Sequence, residues 1–223
     1  MTRVDVREKV LAANAAAAAE LRRRFAAQGT LVVNLISSPG SGKTTLLEAT
    51  VRGLAPRLRL GAIEGDIATE RDAERLRRLG IPAHQILTGG ACHLDARQVR
   101  DALAARDFGA LDILFIENVG NLICPTSYDL GEDFKAVLLS VTEGEDKPFK
   151  YPAIFSRAAA TVITKADLLP HVAFRLDEAR EQVAALNPEC RLLVLSATTG
   201  QGMAEWEQLL MESLDRKRSA AAR

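Results

Sequence analysis

Apolar residues recur along this chain in two rhythms that take turns. Over residues 4–27, Leu11, Ala18, Leu21 and Phe25 return at helical spacing around the high-propensity tract Ala15–Ala19, and Gln28-Gly29 supplies a stop, so the pattern predicts a helix. Leu31–Ile36 then reads as an apolar strand and Lys43–Leu54 as a helix. Further strands are expected over Leu60–Ile63, Leu111–Ile116, Ala136–Val141, Thr161–Ile163 and Leu192–Leu195. Helices are expected over Ala68–Leu79, His93–Arg106, about Val172–Leu186, and Met203–Leu214. Strands alternating with helices, with the strands apolar enough for burial on both faces, predict an α/β fold: a mainly parallel sheet with helices on both faces. No internal repeat or linker marks a second unit. The expected organisation is an N-terminal helical extension (1–28), one nucleotide-binding domain (29–216) and a disordered tail (217–223).

Composition narrows the class. The chain has 223 residues, enough for one α/β domain with a proper core. Lys+Arg and Asp+Glu balance at 29 each, which offers no electrostatic steering toward nucleic acid or an anionic membrane. No apolar run reaches the roughly 18 to 20 residues that span a bilayer, and the N-terminus lacks a secretory layout. Three cysteines do not make a disulfide framework, so the expected compartment is the reducing cytoplasm.

The clearest chemistry lies in Ser37-Ser38-Pro39-Gly40-Ser41-Gly42-Lys43-Thr44, between a predicted strand and a predicted helix. That context defines a P-loop. Gly40 and Gly42 let the backbone turn its N–H groups onto phosphate oxygens beside the positive helix end. Gly40, Ser41, Gly42, Lys43, Thr44 and Thr45 are the expected phosphate-binding residues, with Lys43 neutralising the β- and γ-phosphates and Thr44 ligating Mg2+. One position departs from the general pattern: Ser37 stands where the first glycine is usual. Carboxylates at strand ends come next. Asp66, in Glu64-Gly65-Asp66, and Glu117, after Leu111–Ile116, should face the phosphates beyond the carboxyl ends of a parallel sheet, to hold Mg2+ or orient the attacking water.

Thr164-Lys165-Ala166-Asp167 follows one late strand and Ser196-Ala197-Thr198 the last. Asp167 can accept from guanine N1–H and the 2-amino group, which adenine lacks, and an unpaired buried Asp would cost ~1–3 kcal/mol. Lys165 can cover the base and the Ala197 amide can donate to O6. The nucleotide expected is therefore GTP/GDP, although Thr164 replaces the Asn of the familiar NKxD motif. A small-molecule P-loop kinase is the alternative, but it gives these two blocks no task.

Cys92-His93 and Cys124 carry soft and borderline ligands suited to Ni2+ or Zn2+. Spacing alone favours buried structural cysteines. Should the three converge, one chain supplies three ligands, and water, a partner or the same triplet from a second subunit would complete the shell. Cys190, His84 and His171 read as isolated residues.

Five blocks together carry a resemblance: Ser37–Leu47, Glu64–Asp72, Thr88–Ala96, Glu117–Pro125 and Thr142–Pro152. From about Asp5 to Leu214 the chain resembles the HypB family, GTPases that assist nickel insertion into [NiFe] hydrogenases. The related urease-accessory GTPases carry their metal residues in a Cys-Pro-His arrangement instead. The resemblance implies a SIMIBI-type P-loop NTPase and a homodimer formed with GTP and metal. It implies Cys92, His93 and Cys124 as Ni2+ or Zn2+ ligands, and Asp66 and Glu117 in Mg2+ binding and hydrolysis. Lys147 and Lys150 are implied to reach a partner's nucleotide. Implied partners are a HypA-like nickel-binding accessory protein and a hydrogenase large subunit. Met1–Gln28 holds no Cys and no His, so the resemblance implies nickel delivery without nickel storage.

Overall fold

A computed structural model describes residues 3–66 and 71–221, with side chains from Glu8 onward. Seven strands, β1 (Leu31–Ser37), β2 (Leu60–Asp66), β3 (Ala83–Leu87), β4 (Ile113–Glu117), β5 (Phe134–Ser140), β6 (Ala160–Thr164) and β7 (Arg191–Val194), form one sheet in the order β3-β2-β4-β1-β5-β6-β7. Every adjacent pair is parallel. The helices are α1 (Arg3–Gln28), α2 (Lys43–Leu54), α3 (Arg71–Arg78), α4 (Ala96–Ala105), α5 (Lys147–Lys150), α6 (Pro152–Phe155), α7 (Leu176–Leu186) and α8 (Met203–Ala221). Short 3-10 turns cover Cys124–Ser127 and Ala166–His171.

Burial follows from the strand sequences. All residues of β1, β4 and β6 are buried, because crossover helices cover both faces of a parallel sheet. On one face Leu46, Leu54, Trp206 and Leu210 pack against Leu31, Leu35 and Phe115. On the other, Ala18, Leu21 and Phe25 of α1 meet Val32, Leu114 and Val99. Asn14 fixes α1 further: its Oδ1 accepts the Ala96 N–H at 2.8 Å, at the start of α4, and its Nδ2 donates to Asp129 O at 2.8 Å.

Several boundaries differ from the expectation, each for a local reason. β2 continues through Asp66, so Glu64 and Asp66 lie within the strand. β3 was not expected; it is an edge strand whose polar His84 and Gln85 hide its periodicity. The helix expected from His93 starts at Ala96, because Asp95 caps it: its carboxylate accepts Gln98 N–H while the Gln98 side chain accepts Asp95 N–H. His93 is left in a loop. The helix expected near Val172 begins at Leu176, after Pro170 and an extended Val172. The beginning of the Ala68–Leu79 helix lies outside the described residues, and α3 covers Arg71–Arg78. At the C-terminus α8 is helical through Ala221, well into the expected tail; there Lys217 pairs with Asp133 at 2.6 Å and Arg218 with Asp112 at 2.5 Å.

Candidate functional site

The carboxyl ends of β1, β2 and β4 open on a cavity of about 550 Å3 lined by the P-loop, Glu64, Asp66, Glu117 and Lys165. At its base the chain turns between β1 and α2 through Gly40 (φ 77°) and Gly42 (φ 94°), left-handed values that strain any side chain. Ser37 solves the departure from the motif without a left-handed residue. Its hydroxyl donates to Ser38 O at 2.6 Å and accepts from Lys43 Nζ at 2.9 Å. Thr44 Oγ1 donates to Glu117 Oε1 at 3.1 Å, and Lys43 Nζ lies 3.9 Å from the same oxygen.

Glu64 has a larger place than its sequence context suggested. Parallel pairing puts it beside Glu117 in register across β2 and β4, with Glu64 1% and Glu117 6% exposed. Glu64 Oε1 and Glu117 Oε2 are buried without hydrogen bonds. Burial and the neighbouring Glu117 charge push the Glu64 carboxyl well above its usual range. Burial also raises Glu117, against the pull of the Lys43 ammonium. Two crowded carboxyls, each with an orphan oxygen, beside a threonine hydroxyl form a donor set that fits a hard divalent cation such as Mg2+.

A second cavity of about 170 Å3 adjoins the first, sharing Gly42, Thr45 and Lys165 and lined also by Asp167, Ser196 and Ala197. The two guanine-motif segments expected from sequence thus meet at one hollow. Lys165 (φ 59°) is the one non-glycine residue with positive φ among the described residues. The fate of Thr164 is informative: its hydroxyl donates to Ser41 O at 2.7 Å. It ties the end of β6 to the P-loop. Lys147 also leans on the P-loop, with Nζ 3.3 Å from Ser38 Oγ and 3.5 Å from Glu143, and an exposed Lys150 pairs with Asp146.

The structure brings the three soft ligands together. Cys92 Sγ is 2.8 Å from Cys124 Sγ and 3.6 Å from His93 Nδ1, and the ligand atoms of all three lie within 4.8 Å of one another. All three residues are half-buried. The His93 ring rests against Tyr128 at 3.8 Å between centroids. Burial lowers the His93 pKa, which favours the neutral imidazole a metal needs. Hydrogen bonding to Cys124 is the main cause holding the Cys92 thiol above its usual range, an effect that a bound cation would reverse. Two asparagines of the loop, Asn118 and Asn121, were not singled out from the sequence, and both bond to this segment. Cys190 lies elsewhere, against Thr161.

Residues 31–194 match the family model described as CobW/HypB/UreG, nucleotide-binding domain. The Hydrogenase maturation factor HypB of Azotobacter vinelandii is 49% identical over 201 residues, 90% of this chain and 66% of that protein. The Hydrogenase maturation factor HypB of Escherichia coli K12 is 48% identical over 203 residues, 91% and 70% of the two lengths. The chain belongs to the HypB family of hydrogenase maturation factors. It spans about two thirds of the length of these two relatives. Membership makes this HypB-family chain a nucleotide-binding GTPase. The crystal structure of HypB from Helicobacter pylori in complex with nickel superposes with a TM-score of 0.87 at 41% identity, covering 91% of this chain and 95% of that one. A more distant likeness concerns the fold alone. The signal recognition particle 54 kDa protein of Aeropyrum pernix, in complex with GDP, matches with a TM-score of 0.57 at 17% identity, over 86% of this chain and 49% of that one. The HypB-family chain therefore has the SIMIBI type of P-loop fold expected from its sequence. Among the described residues no helix is long and apolar enough to cross a membrane.

Proposed function

We propose that this HypB-family chain is a GTP-hydrolysing nickel metallochaperone whose metal site is gated by its nucleotide and completed by a second copy of the chain. The observation that carries the reading is the segment Glu117–Cys124, which touches both sites. Glu117 accepts from Thr44, Gly120 abuts Pro39 of the P-loop, and Cys124 meets Cys92. A change at the γ-phosphate position therefore has a short physical route to a sulfur ligand.

In this reading Lys43 and the Gly40–Thr45 backbone hold the phosphates, and Asp167, Lys165 and the Ser196-Ala197 segment hold guanine. Thr44, Glu117 and Asp66 would hold Mg2+, which when bound supplies positive charge to the developing phosphate oxygens. Glu64, whose carboxyl burial pushes above its usual range, stands beside Glu117 at that cation position and can orient water there. The cargo ion, Ni2+ with Zn2+ as competitor, is taken by Cys92, His93 and Cys124. Three ligands per chain leave the shell open, and the same triplet from a second subunit would close it. A nickel-binding accessory protein of the HypA kind and a hydrogenase large subunit are the proposed donor and client, acting in the cytoplasm.

The test pairs turnover with metal affinity. Phosphate release is expected at ~10⁻⁴ to 10⁻² per second, as in GTPases without a supplied arginine finger, and to vanish in Lys43→Ala. Nickel is expected to bind the form loaded with a non-hydrolysable GTP analogue at least about fivefold more tightly than the GDP form. Equal affinities in the two forms would remove the gating.

A further inference from the structure

A buried amide joins the nucleotide cavity to the metal ligands. Asn118, 1% exposed, follows Glu117 at the end of β4. Its Oδ1 accepts the Leu94 N–H at 3.1 Å and the Val119 N–H at 3.0 Å. Leu94 directly follows His93 and is fully buried. Its side chain occupies the space beside Gly65 of β2, where an added Cβ would lie 2.9 Å from it. The residue after His93 thus packs on the face of the sheet over β2, the strand that carries Glu64 and Asp66 and pairs with the strand of Glu117.

The same network returns to His93 from below. Asn118 Nδ2 lies 3.4 Å from Asn34 Oδ1, Asn34 Nδ2 lies 3.3 Å from Glu132, and Glu132 pairs with Lys135. Lys135 Nζ donates to Tyr128 O at 3.2 Å, and the Tyr128 ring covers His93. The links beyond 3.2 Å are long, so the two bonds to Leu94 and Val119 carry most of the grip. Asn121 works differently. It donates to Cys92 O at 3.2 Å and accepts from Ile123 N–H at 2.8 Å, bracing the ligand loops against each other without a bond to either strand.

We propose that Asn118 is a positioning residue that couples the two sites. Displacement of Glu117 on nucleotide exchange carries Asn118 with it, and the Leu94 backbone transmits the shift to His93. The inference rests on the nucleotide-gated nickel binding proposed above and names the side chain that transmits it. Without the 118 amide, the strand end and the ligand loop move independently.

The experiment measures the Ni2+ dissociation constant of the full chain loaded with Mg-GDP and with a non-hydrolysable GTP analogue, for wild type, Asn118→Ala and Asn121→Ala. The wild-type ratio is expected at about fivefold or more. Asn118→Ala should bring it to within about twofold of unity, while Asn121→Ala weakens nickel in both forms and keeps the wild-type ratio. A wild-type ratio retained in Asn118→Ala overturns the role of Asn118 and leaves the gating intact. A wild-type ratio of one overturns the gating itself, a separate result. Should Asn118→Ala not fold, hydrogen exchange at the Leu94 amide of wild type decides. Protection is expected to differ about tenfold between the two nucleotide forms, and equal protection overturns the proposal.

Discussion

Glu64 shows how much one buried side chain can hold. It is buried, its neighbour across the ladder is another glutamate, and burial with that neighbour's charge raises its pKa well above the ordinary 4.5, against the pull of Lys43. Folding therefore takes up a proton here as pH rises. Glu64's stabilising share is fully present below its ordinary value and is lost as pH climbs toward the folded value. Glu64→Gln keeps the neutral shape and removes the titration. Its Tm is expected to match wild type near pH 4.5 and to exceed it increasingly toward pH 7.5, each 1 kcal/mol relieved being worth about 2–4 °C at this chain length. A Tm difference that stays constant across that range in differential scanning calorimetry would mean that Glu64 titrates normally. Thr164 makes a similar point at another residue: standing where the familiar motif has Asn, it bonds the P-loop backbone.

At the scale of the element, the loop after β4 is the informative piece. Gly120 stands where a Cβ would come within 2.9–3.0 Å of Pro39 atoms, two of them backbone. Gly120→Ala must displace the P-loop or the loop itself, and is expected to weaken GTP binding by about tenfold or more while the sheet stays folded; isothermal titration with far-UV circular dichroism checks both halves. What sequence revealed of the elements follows the same physics. Runs buried on both faces, such as β1 and β4, were legible because every position is apolar or nearly so. β3 was not, because an edge strand with His84 and Gln85 loses the pattern. The site divides likewise. The P-loop and guanine segments carry recognisable glycine, lysine and aspartate spacings, whereas Glu64, Asn118 and Asn121 owe their places to strand register and loop closure, which no local spacing encodes. Convergence of Cys92 with Cys124 is of that second kind, and the family resemblance supplied what spacing could not.

The whole molecule is one sheet with its nucleotide cavities and its soft ligands all beyond the carboxyl ends of the strands, as parallel sheets dictate. Ile123 is 66% exposed next to Cys124, and in the proposed function the half-buried Cys92, His93 and Cys124 would meet the same triplet of a second copy. Light scattering on a size-exclusion column is expected to show the 24.1 kDa monomer doubling in mass when Ni2+ and a non-hydrolysable GTP analogue are both present. Cys124→Ser should stay at the single mass under the same conditions. Doubling of the variant would show that the interface forms without the metal.

The 2.8 Å between the sulfurs of Cys92 and Cys124 has one more consequence. Two thiols in direct contact are placed so that an oxidant could join them in one covalent staple. That staple would withdraw both sulfurs at once, and in the proposed function nickel uptake would thereby depend on the reducing power of the surroundings.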